Sequence, residues 1–360
     1  MRKKFSILVV SIVIIGLTLS LSGVLVSQAA PVEKQQGPNR EMPKPIPATN
    51  IEVVKKVFLS EGIGEIKGKP SPSPKTGGVA TGILGDYPIT GTKYAVVIGI
   101  CDYPGTDYDI CTSDGDSLHM YKALTELYGY KPENIRLFKD EGGTTGFINP
   151  DTEEYIIADV PTYNNIYQAV MDIKNNPNLT QDDEVVFFFS GHGTRGNADD
   201  GDTEGTDEAI LVHNNNNTDI DFIWDGELRN WFFDFGTTRI AFVFDSCLAG
   251  GMNDVATDGR VISMATGETQ SAYVYSTAGE DVDGNGIKDG EGVFSRLFVN
   301  EGMLQGKADK YDHDKDEVTL EGTDVVVEEA FDYAKANIPP YLKVRQKPVI
   351  SDGFYNDLLL

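Results

Sequence analysis

Two short stretches of this sequence combine a reactive side chain with the residue types that make it usable. Phe187-Phe188-Phe189 runs into Ser190-Gly191-His192-Gly193, and Phe242-Val243-Phe244 runs into Asp245-Ser246-Cys247-Leu248-Ala249-Gly250. A thiol is mostly protonated at neutral pH and needs a neighbouring base to become a nucleophile, and an imidazole is the usual partner. Glycines beside such a pair let backbone amides approach a developing oxyanion, the second requirement of acyl transfer. Taken alone, His192 reads as a hydrogen-bonded structural histidine and Cys247 as a small buried thiol. Placed together just past two apolar runs, they point to catalysis.

The runs themselves indicate how the pair is positioned. Apolar stretches at Ala95–Ile100, Ile135–Phe138, Val185–Phe189, Ile240–Phe244, Tyr273–Ser276 and, more weakly, Val349–Ile350 are short enough for buried strands. Between them, Leu118, Tyr121, Leu124 and Tyr128 recur at helical spacing, as do Ile166, Val170 and Ile173, and a third helix is expected over Val325–Ala334. Strands alternating with helices predict an α/β fold with a mostly parallel central sheet flanked by helices. Chemistry in such sheets gathers beyond the carboxyl ends of the strands, where both motifs lie.

The chain has 360 residues, ordinary globular hydrophobicity and a formal charge of −26. Before Tyr94 there are 12 basic and 6 acidic residues, so the excess acid lies entirely in the remainder. That balance excludes nucleic acid as a partner and any polybasic contact with a membrane surface. The N-terminus carries Arg2, Lys3 and Lys4 ahead of an apolar stretch from Phe5 to Val26, then Ser27 and Ala29 near a cleavage-like position. Residues 1–30 are therefore either a signal peptide or a membrane anchor, and in both cases the rest is expected to be extracellular or at the cell surface. Residues 31–93 are rich in Pro, Gly, Lys and Ser and read as a propeptide or spacer, with one amphipathic patch, Ile51–Leu59, able to dock on the domain at 94–360. Three cysteines leave one unpaired in any scheme. Cys101 and Cys111 either pair in an oxidising compartment or remain two small buried thiols.

From Tyr94 to Ile350 the sequence resembles the caspase-like cysteine peptidases, metacaspases and their prokaryotic relatives more than caspases proper. The resemblance is carried by Ala95-Val96-Val97-Ile98-Gly99-Ile100, Ser190-Gly191-His192-Gly193, Asp245-Ser246-Cys247 and Gly292-Val293-Phe294-Ser295, in matching order. It implies a caspase-like three-layer sandwich, His192 as general base and acid, Cys247 as nucleophile, and the main-chain amides of Gly193 and Cys247 as the oxyanion hole. It also implies a pocket for substrate Arg or Lys lined by Asp114 and Asp245, with Cys111 and Ser190 beside them, and so protein or peptide substrates carrying those residues. A carboxylate suits guanidinium through paired hydrogen bonds. Asp114 can equally be read as a helix cap ahead of Leu118. Where metacaspases have histidine, serine and glycine after the nucleophile, this chain has Leu248, Ala249 and Gly250.

Calcium is the expected cofactor. Asp281, Asp283, Asn285 and Asp289 fall at positions one, three, five and nine of a calcium loop with Gly286 at the turn, although the closing position is Gly292 with Glu291 beside it. Asp312, Asp314 and Asp316 form a weaker copy, and the metacaspase resemblance adds Asp207, Asp225 and Asp254. A solvated acidic surface is the competing explanation. The functional expectation is a secreted, calcium-responsive cysteine endopeptidase, made as a zymogen, cutting after Arg or Lys and maturing at basic residues such as Lys67, Lys69, Lys75 or Lys93. The alternative is a catalytically inactive calcium-binding surface module on the same fold.

Overall fold

A computed structural model describes residues 42–59, 91–140, 146–148, 155–201, 205–275, 290–309, 311, 325–354 and 357–360. The compact unit is Pro43–Leu360. Its strands are β1 (Ala48–Val54), β2 (Val57–Leu59), β3 (Lys93–Ile100), β4 (Ile135–Asp140), β5 (Gly146–Ile148), β6 (Tyr155–Ile157), β7 (Glu184–Ser190), β8 (Gly193–Ala198), β9 (Asp207–His213), β10 (Ile220–Trp224), β11 (Ile240–Asp245), β12 (Arg260–Met264), β13 (Tyr273–Tyr275), β14 (Glu291–Gly292) and β15 (Val349–Asp352). Its helices are α1 (Ser113–Glu126), α2 (Tyr163–Lys174), α3 (Asp225–Phe232), α4 (Val293–Ser295), which widens into a π-type stretch over Arg296–Leu304, and α5 (Val327–Asn337).

The central sheet has the order β15-β12-β11-β7-β3-β4, parallel throughout except for β15 at one edge. Its strands are apolar on both faces, and the two-residue period divides them between two cores. Ala95 and Val97, Val186 and Phe188, and Ala241 and Val243 face one core with α1, α5 and the 293–304 helix. Their neighbours Val96 and Ile98, Phe187 and Phe189, and Phe242 and Phe244 face the other, with α2 and α3. Helix–sheet–helix is thus the three-layer α/β arrangement expected from the alternation of runs. Two expectations differ in detail. Tyr273–Tyr275 lies outside the central sheet, in the order β14-β13-β2, and Arg260–Met264, which the apolar runs did not mark, supplies a central strand instead. Arg260 is tolerated there because its guanidinium donates to the carbonyls of Val255 and Phe232 at 2.6 and 2.7 Å.

The patch Ile51–Leu59 is docked on the domain. β1 is the outer strand of a four-stranded antiparallel sheet, β1-β8-β9-β10, and β2 extends β13 in parallel. Among the described residues no helix is long and apolar enough to cross a membrane, and the apolar stretch 5–26 lies outside them.

Candidate active site

β7 and β11 are neighbours whose register pairs Ser190 with Asp245. His192 and Cys247 each follow two residues later, so the sheet alone delivers both reactive groups to one end. Both are almost fully buried. Gly193 lies so close to the Cys247 carbonyl that a β-carbon there would overlap it, which is the close approach that requires glycine. Leu248 immediately after the nucleophile adopts a left-handed backbone (φ 59°), turning the chain sharply into a short 3-10 helix over Ala249–Val255.

A loop after β3 fixes the imidazole. The His192 ring stacks on Tyr103 at 5.3 Å between centroids, and its backbone N–H donates to the Tyr103 hydroxyl at 3.0 Å. Nε2 lies 2.9 Å from the Tyr108 carbonyl, which can only accept, so Nε2 carries the proton and Nδ1 is left as the basic nitrogen. Cys101 and Cys111 form a disulfide that closes this loop at its base. Cys111 is therefore engaged in a covalent bridge and does not line a pocket as a thiol. Neither Tyr103 nor Tyr108 was singled out from the sequence. Their signal was their place between the two cysteines on a loop after a strand end.

The pocket beside the dyad contains the chain's own Lys56. Its ammonium donates to the Ser190 hydroxyl at 2.9 Å and pairs with Asp245 at 3.1 Å and Asp116 at 3.9 Å. Asp245 is held by the backbone N–H and hydroxyl of Ser295 at 2.9 and 2.7 Å, and Asp116 accepts from Ser190 at 2.6 Å and from the Gly292 N–H at 3.0 Å. Residues 292–295 thus form the back wall that orients both acids. Burial, then Asp245, pushes the Asp116 carboxyl well up, against the opposing pull of Lys56.

Asp114 does not join this group. It faces Lys139 at 3.9 Å, and the helix cap position is Thr112. Asp114 and Asp116 are two residues apart on α1 and so project on opposite sides. From Ser113 to Tyr121 every residue of α1 is buried, so the apolar repeat could not show which acid faced the cleft.

The dyad is held uncharged in this arrangement. Burial pulls the His192 imidazole down to about 3, with Lys56 and Lys55 adding to the effect against the Tyr108 carbonyl, and burial pushes the Cys247 thiol up to about 11. The Cys247 sulfur accepts from the Ala272 N–H at 3.1 Å, and Val54 packs over Cys247, Leu248 and Ala272.

Of the residues expected to hold calcium, Asp207, Asp225 and Asp254 lie among the described residues. Asp281, Asp283, Asn285 and Asp289, with Asp312, Asp314 and Asp316, lie outside the described residues. Asp207 accepts from the Ala198 N–H at 2.7 Å and Asp254 pairs with Arg229 at 2.8 Å. Asp225 is fully buried at the start of α3, and burial followed by Asp200 and Asp254 pushes its carboxyl up to about 9. Asp200, which the sequence did not suggest, accepts from the Gly226 N–H at 3.0 Å. Among the described residues no group of three or more acidic, histidine or cysteine side chains is arranged to hold a metal ion.

Residues 93–256 match the family model described as metacaspase, peptidase C14 domain. Metacaspase-4 of Arabidopsis thaliana is 34% identical over 168 residues, covering 46% of this chain and 35% of the relative, and Metacaspase-6 of the same plant is 32% identical over 168 residues, covering 46% and 40%. The chain thus spans well under half the length of these curated relatives. The crystal structure of the Drosophila initiator caspase Dronc aligns with a TM-score of 0.45 and 14% identity over 80% of this chain and 91% of that one. The metacaspase-like, caspase-like resemblance drawn from the four motifs is shown, and the three motifs up to Cys247 fall inside the matched segment.

Proposed function

We propose that this chain is a cysteine endopeptidase that cuts proteins or peptides after Lys or Arg, is made as a zymogen and acts outside the cytoplasm. One observation carries the specificity: a lysine ammonium sits buried beside the dyad, contacting Ser190, Asp245 and Asp116. The pocket has room for a long side chain and two carboxylates at its end, and among the described residues other than the inserted Lys56 no basic group lines it for an acidic residue.

The chemistry follows from the positions. Once the cleft is open, His192 Nδ1 takes the Cys247 proton and the sulfur attacks the carbonyl carbon of the peptide bond after the bound Lys or Arg. The oxyanion forms beside the Gly193 and Cys247 amides, the pair that the metacaspase resemblance implies. His192 then protonates the departing amine, leaving an acyl-enzyme thioester. Water, deprotonated by His192, hydrolyses the thioester and restores the thiol. Tyr108 and Tyr103 keep the ring in the one tautomer and orientation that allow this.

Zymogen character is supported by the same lysine, since it fills the pocket a substrate would need. Export is supported by the signal-like N-terminus and by the Cys101–Cys111 bridge, which suits an oxidising compartment. For calcium, Asp225 is the best-placed of the expected residues, since burial and then the charges of Asp200 and Asp254 push its carboxyl up. A cation there would offset the like charges around Asp225, with Asp254 leaving Arg229 to join it. The loop Asp281–Asp289 remains a second proposed site.

The test is hydrolysis of Lys, Arg and Asp reporter peptides by the full chain after its N-terminal segment is cut, with and without calcium. Lys and Arg reporters should be cleaved and Asp reporters not, with activity lost in Cys247→Ala and in His192→Ala. Equal activity in a folded Cys247→Ala protein would refute the mechanism.

A further inference from the structure

Lys56 presents its side chain as a substrate would, but its backbone does not. When a peptide is cut after a basic residue, the nitrogen that must receive the proton belongs to the next residue, so that nitrogen has to lie at the general acid. Here the nitrogen at His192 Nδ1 is Lys56's own, 3.0 Å away and donating its hydrogen. The next nitrogen, that of Val57, points elsewhere and donates to the Ala272 carbonyl at 2.9 Å.

Strand directions on both sides agree. Before Lys56, β1 runs antiparallel to β8, with Val54 opposite Gly193, and after it β2 runs parallel to β13, with Val57 opposite Tyr273. A chain presenting its basic residue to the same pocket with the following amide at His192 would run the other way, antiparallel along β13. The bond preceding Lys56 is no better placed for hydrolysis. Cutting it would require Lys55 in the acidic pocket, whereas the Lys55 ammonium lies over the Tyr108 ring at 4.6 Å and donates to the Asp107 carbonyl.

We propose that the segment Ala48–Leu59 is an inhibitor threaded through the cleft in reverse, anchored by Lys56 in the acidic pocket and held without being cut on either side of that residue. This rests on the peptidase reading and specifies its regulation. The Lys56 N–H occupies the nitrogen that should accept the thiol proton, so the plug blocks activation of Cys247 as well as access to it. Release then depends on cleavage elsewhere, for which Lys67, Lys69 and Lys75 lie between the plug and β3 in the sequence.

Direction is tested by cysteine pairing in full-length protein carrying Cys247→Ala, which reads the threading whether or not the chain is a peptidase. Reverse threading places Leu59 opposite Tyr275, so Leu59→Cys with Tyr275→Cys should form a cystine under mild oxidation. A forward chain with Lys56 in the same pocket would instead bring Val53 to that position. Crosslinking of Val53→Cys with Tyr275→Cys, or of neither pair, overturns the proposal.

Inhibition is tested in full-length protein with Cys247 intact. Lys56→Ala should raise Lys reporter hydrolysis by about tenfold or more, because it removes the charged anchor of the closed state. Wild-type protein should yield no new terminus at Lys56 or Val57 by mass spectrometry. A Cys247-dependent terminus at either residue, or an active wild type that Lys56→Ala leaves unchanged, overturns the inhibitory role. If the Leu59 crosslink forms and neither wild type nor Lys56→Ala cleaves any reporter, the peptidase reading fails while the threading stands.

Discussion

Replacing Asp245 with Asn, in a chain whose cleft has been opened by Lys56→Ala, is expected to cut hydrolysis after Lys or Arg by about a hundredfold to several thousandfold. One oxygen of Asp245 is engaged by Ser295 and the other faces the ammonium at 3.1 Å. The amide can keep the Ser295 contacts through its oxygen, which turns its NH2 toward the substrate cation. At an effective dielectric of about 20 the direct attraction at that distance is about 5 kcal/mol, and removing one partner of a buried pair costs about 3–5 kcal/mol. Each 1.4 kcal/mol is about a factor of ten, which gives the range stated. Asp116 is farther from the cation at 3.9 Å, and burial pushes its carboxyl up, so Asp116→Asn should cost less. Asp114→Asn should change specificity little, because Asp114 faces Lys139. The assay is kcat/KM on reporters with Lys, Arg or Gln at the cut position, with the thermal midpoint of each variant checked. Equal loss on Lys and Gln reporters in folded Asp245→Asn, or a larger specificity loss in Asp114→Asn than in Asp116→Asn, would refute this account of the pocket.

The double substitution Cys101→Ser with Cys111→Ser should lower kcat by about tenfold with little change in KM, since it loosens the tyrosines that orient His192 and leaves the acidic pocket in place; unchanged kcat would show that the loop holds without its bridge. His119 is buried and its imidazole is pulled down to about 4, mainly by burial, so the unfolded chain takes up this proton first and stability falls as pH drops from about 6.5 toward 4, by about 1.4 kcal/mol per pH unit. Denaturant titrations should therefore show that His119→Asn flattens that part of the acid limb, and an unchanged slope would refute the assignment. If calcium binds at the start of α3, it should raise the thermal midpoint of the wild type and not that of Asp225→Asn; an equal rise in both would move the site to the Asp281 loop or elsewhere.

Much of the fold was legible because the sheet is buried on both faces. Phe187–Phe189 and Phe242–Phe244 can only be interior strands, and the motifs after them are placed by register alone. The docked patch Ile51–Leu59 was also legible from its amphipathic character, yet the lysine that matters in it was not. Lys56 breaks that pattern, and only the three-dimensional meeting of Ser190, Asp116 and Asp245 gives a buried ammonium a reason to be there. Asp116 was missed for a related reason: a helix buried on nearly every side loses the periodic contrast that tells one face from another. The resemblance named Asp245 and Ser190, which meet Lys56, and Asp114, which faces Lys139 instead.

The plug and the peptidase-like domain belong to one polypeptide, and this changes what a cut between Leu59 and Lys93 accomplishes. While the tether is whole, the segment faces its cleft at an effective concentration on the order of millimolar, whatever the abundance of the protein. A single break leaves every contact of Lys56 in place and converts the lock into a separate molecule whose hold now follows its bulk concentration. Dilution then becomes the activating event. Nicked protein kept concentrated would stay silent, and the same protein diluted into a larger volume would switch on as the freed peptide dissociates.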